Sequence, residues 1–383
     1  MNLRKERGSH SLINVEILVI GGGPAGLSAA LAAANMGAKV TVVERDKHPG
    51  GQLVKQTHKF FGSVAQSAGE RGYLIGRDLI RAVIEHPNIT LFTEATAVAI
   101  YEDGVIGVMQ NEKFLKFKAQ KLIVTTGAAE KFLVFPGNDL PGIYGAGAVQ
   151  TLMNVHGVVP AKRVLMVGSG NIGLIVSYQL TQAGVQVAAV IEALPKIGGY
   201  LVHASKIRRA GIPIKCGYTI LEAFGDTKVE GARIAAIDEH FQPIPGTEEI
   251  IECDAICLAV GLTPLTELCW QARCEMKFIR QLSGHVPVTN DDLMTSVEGL
   301  YVAGDLDGIE EATAAMVEGR LAGCAAAQSL GYDPEHAEAL KQAARDELSE
   351  LRAGPTGGKI REGIEAVKAE GGKIHVNLDR YPN

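Results

Sequence analysis

Two stretches of the chain repeat one pattern of apolar and glycine positions. VEILVIGGGPAGLSAALAAANMGAKVTVVE opens on a short β-branched run, Val15 to Ile20, which stops at Gly21-Gly22-Gly23. An Ala- and Leu-rich segment from Ala25 to Met36 follows, with the composition of a helix that lies close on a sheet, and Gly37 ends it. KVTVVE then reads as the next parallel strand. RVLMVGSGNIGLIVSYQLTQAGVQVAAVIE repeats strand, glycine turn, helix and strand near the middle of the chain. The pattern predicts an α/β protein with two Rossmann-like dinucleotide-binding domains.

The segments between these repeats also match each other. KLIVTTG is a strand running into a glycine turn, and DAICLAVGLTP, from Asp254 to Pro264, is its counterpart after the second repeat. FPGNDLPG reads as a linker. GLYVAGDLDGIEEATAAMVEGRLAGCAAA supplies a further strand, which delivers Asp305 to a turn, and an Ala-rich helix that begins near Glu311. This order predicts a discontinuous first domain, residues 1–150 and 284–335, with the second domain, 151–283, inserted. Residues 336–383 read as a helical extension, charged helices around a Gly/Pro break. Packing, contact with another chain and a solvated tail are all open for its end.

The two fingerprints carry the chemistry. In G-x-G-x-x-G, Gly21 makes the turn, Gly23 lets the backbone approach a pyrophosphate, and Gly26 lets the helix lie near the strand. The helix start at Pro24-Ala25 offers unpaired N–H groups and a partial positive charge. Glu44, followed by Arg45, closes the next strand roughly 20 residues on, where a carboxylate accepts hydrogen bonds from an adenosine ribose. Gly51 and Gln52 lie in a loop that runs on toward the reactive end of an extended cofactor. Gly168, Gly170 and Gly173, with Asn171 and Ile172 at the helix start and Glu192 at the strand end, repeat these roles. Two complete units imply two cofactors, a flavin and a nicotinamide, aligned for hydride transfer. Glu192 would repel a 2′-phosphate, so NAD(H) is favoured over NADP(H), while Arg208 and Arg209 keep the second open. Asp305 beside Gly304 is either a flavin contact or a helix cap, and Ala312 lies in the helix whose N-terminus would stabilise a reduced ring.

Composition narrows the setting. The 383 residues are 46% hydrophobic and 21% charged with net charge −6, the balance of an ordinary globular protein and no footprint for nucleic acid. No apolar run is long enough for a transmembrane segment, and the polar opening MNLRKERGSHS lacks the apolar core of a secretory signal, so a cytoplasmic location is expected. The six cysteines include no Cys-x-x-Cys pair and no metal-site spacing. Cys269 and Cys274, around the only tryptophan, are either a redox pair or buried, reduced side chains. His58 is either a loop histidine or a flavin neighbour. No residue stands out as a catalytic acid, base or nucleophile.

Taken together, these motifs make the chain resemble the FAD and NAD(P)-linked flavoproteins with two dinucleotide-binding domains, the thioredoxin-reductase-like group. GGGPAG, GSGNIG, TTG, AVGLTP and GLYVAGD carry the resemblance over about residues 15 to 330. FPGNDLPGIYGAGAVQTLMN and GDLDGIEEATAAMVEGRLAGCAAA are most similar to the FAD subunits of hydrogen cyanide synthase, opine oxidase, dye-linked proline dehydrogenase and heteromeric sarcosine oxidase. The resemblance implies that Gly21, Gly23, Gly26, Glu44, Gln52 and Asp305 hold FAD, and Thr126 and Gly127 of the TTG turn are further candidate cofactor contacts. It likewise implies that Gly168, Gly170, Gly173 and Glu192 hold the nicotinamide cofactor, and that a partner protein or homo-oligomer takes part. The chain departs from thioredoxin reductase in lacking the redox Cys-x-x-Cys. It also has no cysteine beyond Cys324 for the C-terminal iron–sulfur module that several amine-oxidising relatives carry. Three functions are therefore open: a pyridine-nucleotide:FAD oxidoreductase, the FAD-bearing subunit of an amine or amino-acid dehydrogenase, and a flavoprotein scaffold whose second site only binds an adenine nucleotide.

Overall fold

A computed structural model describes residues 12–60, 67–368 and 376–377. The polar opening, residues 1–11, lies outside the described residues, as does most of the chain beyond Lys368. The described residues form two compact units, one drawn from 1–54, 59–129 and 263–383, the other from 55–58 and 130–262.

In the first unit, strand Leu12–Ile20 lies between Val40–Val43 and Lys113–Val124, parallel to both. Ile89–Phe92 extends one side, and Leu300–Val302 pairs in parallel with Lys113–Val124. Two antiparallel strands, Val105–Gln110 and Ala95–Ile100, complete the sheet. The run ILVI is unbroken because both faces of the strand are covered. Ile17 and Val19 point into one core cluster, Leu18 and Ile20 into the other, as the two-residue period of a strand requires.

The first cluster is built on two helices, Pro24–Asn35 and Ala312–Ser329, both rich in alanine. A Cβ added at Gly319 would overlap the carbonyl oxygen of Ala25, and one at Gly323 that of Ala29. The helices thus meet backbone to backbone. This presses the fingerprint helix against the helix that follows Asp305.

Helices Pro334–Leu351 and Pro355–Lys368 pack on the same unit. Ala344 and Leu348 fill a cluster with Ala314, Val317 and Leu321, and Val367 closes another with Leu282, Val286 and Val288. Lys341, only 4% exposed, bridges Asp292 at 3.0 Å and Glu338 at 2.8 Å. The described part of the extension is packed against this unit.

The second unit holds a five-stranded parallel sheet in the order Ile214–Cys216, Gln186–Glu192, Arg163–Val167, Ala255–Leu258, Ile143–Gly145. An antiparallel sheet of Tyr218–Phe224, Gly231–Ala236 and Glu249–Glu252 accompanies it. Because Ile143–Gly145 pairs with Ala255–Leu258, the residues just before 150 belong to this unit, while those from 263 onward belong to the first. The exchanges between units therefore fall upstream of the boundaries expected at 150 and 284.

Gly323→Ala forces the two alanine-rich helices apart and should cost about 1–3 kcal/mol of unfolding free energy, read by chemical denaturation. A variant as stable as the parent would show that the helices have slack at this crossing.

Candidate functional site

The first glycine turn sits at the carboxyl end of Leu12–Ile20, where parallel sheets bind their ligands. Gly21 has φ +108, and a Cβ there would run into the carbonyl oxygen of Thr125. Its amide donates to the Val43 carbonyl at 2.8 Å. A Cβ at Gly26 would overlap the Gly21 carbonyl oxygen. The Thr125 hydroxyl ties the turn down by donating to the carbonyls of Ile20 and Gly21 at 2.9 and 3.0 Å.

Gly23 is different. Its φ of −80 and ψ of −173 suit any residue, and a Cβ would meet nothing nearer than the Gly51 Cα at 3.8 Å. Packing in the chain gives no reason for glycine here, whereas the approach of a pyrophosphate does. The helix it begins has no side-chain cap and no acidic residue in its first turn, which leaves the dipole to an incoming anion. The residues present fit the dinucleotide cofactor that the sequence implies.

Glu44 is buried at the next strand end. Its Oε2 accepts from the Gly22 amide at 2.6 Å and its Oε1 from the Asp46 amide at 2.8 Å. A carboxylate has about four acceptor positions, so capacity for ribose hydroxyls remains. Arg45 is exposed and 4.0 Å from Asp46. The Gly50 amide donates to the Gly22 carbonyl at 2.7 Å. The short helical turn Gly51–Lys55 carries Gln52 outward on a buried Leu53.

The remaining expected contacts belong to the same unit. Thr126 donates to the Leu265 carbonyl at 2.7 Å, and Gly127 (φ +75) accepts from the Leu265 amide at 3.0 Å, so both anchor a chain crossing. Gly304 has φ +76, and a Cβ there would press on Ala25 at 2.9 Å. Asp305 stands in a single 3-10 turn, and Ala312 is the first residue of the long helix. Burial, with some help from the carboxylates of Glu310 and Glu311, pushes the Asp305 carboxyl up to about 6.

Below Asp305 lies a network that pattern reading missed. The Gly304 amide donates to Glu318 Oε2 at 2.8 Å. Arg352, from the C-terminal helices, binds Glu318 and Glu310, the latter through Nε at 2.8 Å. Burial raises the carboxyls of Glu310 and Glu318, and it raises Asp307 to about 7. Arg352 opposes all three rises.

The second turn repeats the first. Gly168 has φ +107, its amide donates to the Ile191 carbonyl at 2.8 Å, and a Cβ would strike the carbonyl oxygen of Ala259. A Cβ at Gly173 would overlap the Gly168 carbonyl oxygen. Gly170, with φ −64 and ψ 174, has open space where a Cβ would be. Asn171 and Ile172 open the helix, Ile172 being exposed. Glu192 Oε2 accepts from the Ser169 amide at 2.9 Å and its hydroxyl at 2.7 Å, and Oε1 from the Leu194 amide at 3.0 Å. Cys216 pairs with Glu192 across the ladder, and burial, then that carboxylate, raises its thiol. Arg208 and Arg209 are exposed at the end of helix Leu201–Arg209.

The structure thus gathers Gly21, Gly23, Pro24, Ala25, Gly26, Glu44, Gly51, Gly304 and Asp305 in one unit, and Gly168, Gly170, Asn171, Gly173 and Glu192 in the other. Pattern reading missed Thr125 and Ala259, although TTG and AVG stand at matching places. A groove of about 860 Å³ lined by Asn14, Lys39, Thr41, Thr90, Lys118 and Lys121 lies at the opposite ends of the first unit's strands, away from the glycine turn. Cys269 and Cys274 lie in the first unit's core, joined by a hydrogen bond that, with burial, holds the Cys269 thiol well above its usual range. Among the described residues no helix is long and apolar enough to cross a membrane, and no group of three or more His, Cys, Asp or Glu side chains could hold a metal ion.

Two sets of parallel strands, one in each unit and each leading into a glycine turn answered by a strand-end glutamate, are the arrangement of an oxidoreductase of the FAD and pyridine-nucleotide class. The model of the pyridine nucleotide-disulphide oxidoreductase family matches residues 15–319, and the chain belongs to that family, which implies FAD. It is 28% identical over 361 residues to the A subunit of opine oxidase from Rhizobium meliloti (strain 1021), covering 89% of this chain and 76% of that one. It is 30% identical over 346 residues to the alpha subunit of sarcosine oxidase from the same strain, covering 86% of this chain but only 31% of the relative. Among solved structures, L-proline dehydrogenase from P. horikoshii matches with a TM-score of 0.68 and 22% identity, over 89% of this chain and 59% of that one. Thioredoxin reductase of T. acidophilum matches with a TM-score of 0.68 and 22% identity, over 83% of this chain and 99% of that one. These two likenesses show the fold.

Asp307 gives this site a pH dependence. The unfolded chain releases this proton near 3.8, whereas the folded one keeps it up to about 7, so the folded state binds more protons across that window. The stabilisation is complete below the lower value and lost as pH rises through the upper. Asp307→Asn should therefore gain on the parent by on the order of 1–2 kcal/mol between pH 4 and 8, after allowance for residual solvent contact. Parallel stability curves for the two proteins across this range would contradict the assignment.

Proposed function

We propose that the chain binds FAD in the unit carrying Gly21 and Glu44 and a nicotinamide dinucleotide in the unit carrying Gly168 and Glu192. On this reading it exchanges electrons with a partner protein or a small acceptor. The observation that carries it is the pair Gly23 and Gly170. Both are glycine where the chain leaves room for a side chain, and both stand at an uncapped helix start. A ligand that brings phosphate to each position accounts for both.

Bound FAD supplies a ring that takes two electrons and releases them together or singly. The chain's own residues bind and orient. Glu44 accepts from an adenosine ribose while held by Gly22 and Asp46. Asp305, on its buried turn, offers a carboxyl to the ribityl or pyrophosphate portion. Glu192, fixed by Ser169 and Leu194, receives the second ribose, and its charge disfavours a 2′-phosphate, which supports NAD(H) over NADP(H). The chain has no Cys-x-x-Cys pair, so dithiol chemistry of the thioredoxin-reductase kind is not part of the proposal.

The names of the relatives favour a second form of this reading. The opine oxidase and sarcosine oxidase chains are each one subunit of a larger enzyme. The chain would then be the FAD-bearing subunit of an amine or amino-acid dehydrogenase whose substrate is oxidised on another chain. The lack of an evident acid, base or nucleophile in the sequence agrees with that division of labour.

Anaerobic addition of NADH should bleach the flavin of the parent protein. Gly170→Val should abolish that bleaching while FAD remains, and Glu192→Arg should shift preference toward NADPH. A parent flavin that neither nucleotide reduces, in a protein that still binds an adenine nucleotide, would leave the second site a scaffold.

Changing Cys269 and Cys274 together to Ser should keep flavin reduction within a few-fold of the parent. A loss beyond about 100-fold, roughly 2.7 kcal/mol in the barrier, would make the thiols participants.

A further inference from the structure

The second unit repeats one more device that its fingerprint does not include. At the same distance beyond each strand-end glutamate stands a glycine pair, Gly50-Gly51 after Glu44 and Gly198-Gly199 after Glu192. In the first unit this pair lies on the glycine turn. The Gly50 amide donates to the Gly22 carbonyl at 2.7 Å, and a Cβ at Gly51 would come within 2.8 Å of the Gly23 Cα.

The second pair also lies on its turn, with the amide-to-carbonyl hydrogen bond to the turn made one residue later in the pair. The Gly199 amide donates to the carbonyl of Ser169, the position equivalent to Gly22, at 2.8 Å, and the Gly198 amide donates to the Ser169 hydroxyl at 3.1 Å. The next amide, of Tyr200, donates to Asn171 Oδ1 at 2.8 Å. A Cβ at Gly199 would stand 2.8 Å from the Asn171 amide nitrogen and 2.9 Å from the Gly170 carbonyl carbon. Those neighbours are backbone and cannot swing aside. Gly199 does not have positive φ, so close approach alone demands glycine there. At Gly198 the nearest atoms to a Cβ are 3.7 Å away, an ordinary contact.

We propose that Ile197–Tyr200 is a strap that fixes the phosphate-binding turn of the second site, and that Gly199 is its positioning residue for a pyrophosphate-bearing nucleotide. The strap rests on the helix start at Asn171 and shields one side of it from water, which strengthens the attraction of its amides for an anion. It also ties Ser169, and through it Glu192, to the turn, so the ribose carboxylate and the phosphate amides are held in one rigid frame before ligand arrives. Preorganisation of this kind improves affinity by lowering the ordering cost of binding. The inference rests on reading the second fingerprint as a nucleotide site.

The experiment uses the full-length, FAD-loaded protein with NADH and adenosine as probes, under anaerobic conditions. Adenosine has no phosphate to place on the turn. Gly199→Ala should weaken NADH binding on the order of tenfold, with the loss in the dissociation constant rather than in the rate of flavin reduction at saturation. It should weaken adenosine binding much less, and Gly198→Ala should cost less than Gly199→Ala. Ser169→Ala cuts the Gly198 tie without a steric push and also removes one hydrogen bond to Glu192, which touches both probes alike, so NADH affinity should fall about threefold further than that of adenosine; this covers the case in which Gly199→Ala does not fold. Equal losses for NADH and adenosine would mean general damage and overturn the strap, as would NADH affinity unchanged in folded Gly199→Ala or in Ser169→Ala. A parent protein that binds no NADH would instead overturn the nucleotide reading itself, and the strap with it.

Discussion

Both halves of this protein depend on a backbone carbonyl pressed against a glycine. The Thr125 carbonyl meets Gly21, the Ala259 carbonyl meets Gly168, and in each case the glycine has φ near +107. The contact lets a central strand turn sharply into its helix while the neighbouring strand ends beside it. The later glycine of each motif, Gly26 or Gly173, then packs on the turn's own carbonyl, so the helix start lies over the sheet's carboxyl edge. Everything that faces a ligand inherits its position from this crowding. The strand-end glutamates reinforce it, since Glu44 holds the Gly22 amide and Glu192 the Ser169 amide.

The first unit adds a second layer of control through charge. Gly319 and Gly323 bring the Ala312–Ser329 helix onto the fingerprint helix, and that close fit carries Glu318 into the interior beneath Gly304. An unpaired buried carboxylate is expensive, and Glu318 has Glu310 and Asp307 for neighbours. Arg352 resolves the conflict by binding Glu318 and Glu310 together. The C-terminal helices are thereby part of the turn that presents Asp305. Removing the cation from such a set leaves carboxylates that must take up protons or open the structure to water, so the extension acts on this site through ionisation as well as packing.

Local structure was legible in the sequence, and long-range pairing was not. The two fingerprints, the strand-end glutamates and the start of the last domain helix near Glu311 could be read because each role follows from a fixed local spacing. Thr125 and Ala259 could not, since their importance lies in which glycine they face across the sheet. Arg352 could not either, because an arginine on a charged helix has no pattern that marks its carboxylate partners. The Gly198-Gly199 strap falls between these cases. Its spacing after Glu192 matches that of Gly50-Gly51 after Glu44, but only the packing distinguishes the glycine that must be there from the one that need not.

That distinction applies to the whole molecule. Gly21, Gly26, Gly168 and Gly173 are required by the chain itself, because any side chain would collide with backbone. Gly23 and Gly170 are not, since each has ordinary dihedrals and room for a Cβ. Both stand at the N-cap of a helix, where Ser, Asp or Asn would close off a first-turn amide that glycine leaves free, at an advantage over glycine of only about a few tenths of a kcal/mol. The free amides occur twice, at equivalent points of two compact units, each time at the helix start where an anion is best received. Folding would be served as well by a small side chain at either place. On the proposed reading, what excludes one is a phosphate that must come as close to the backbone as a glycine permits, received by the free amides of each helix start.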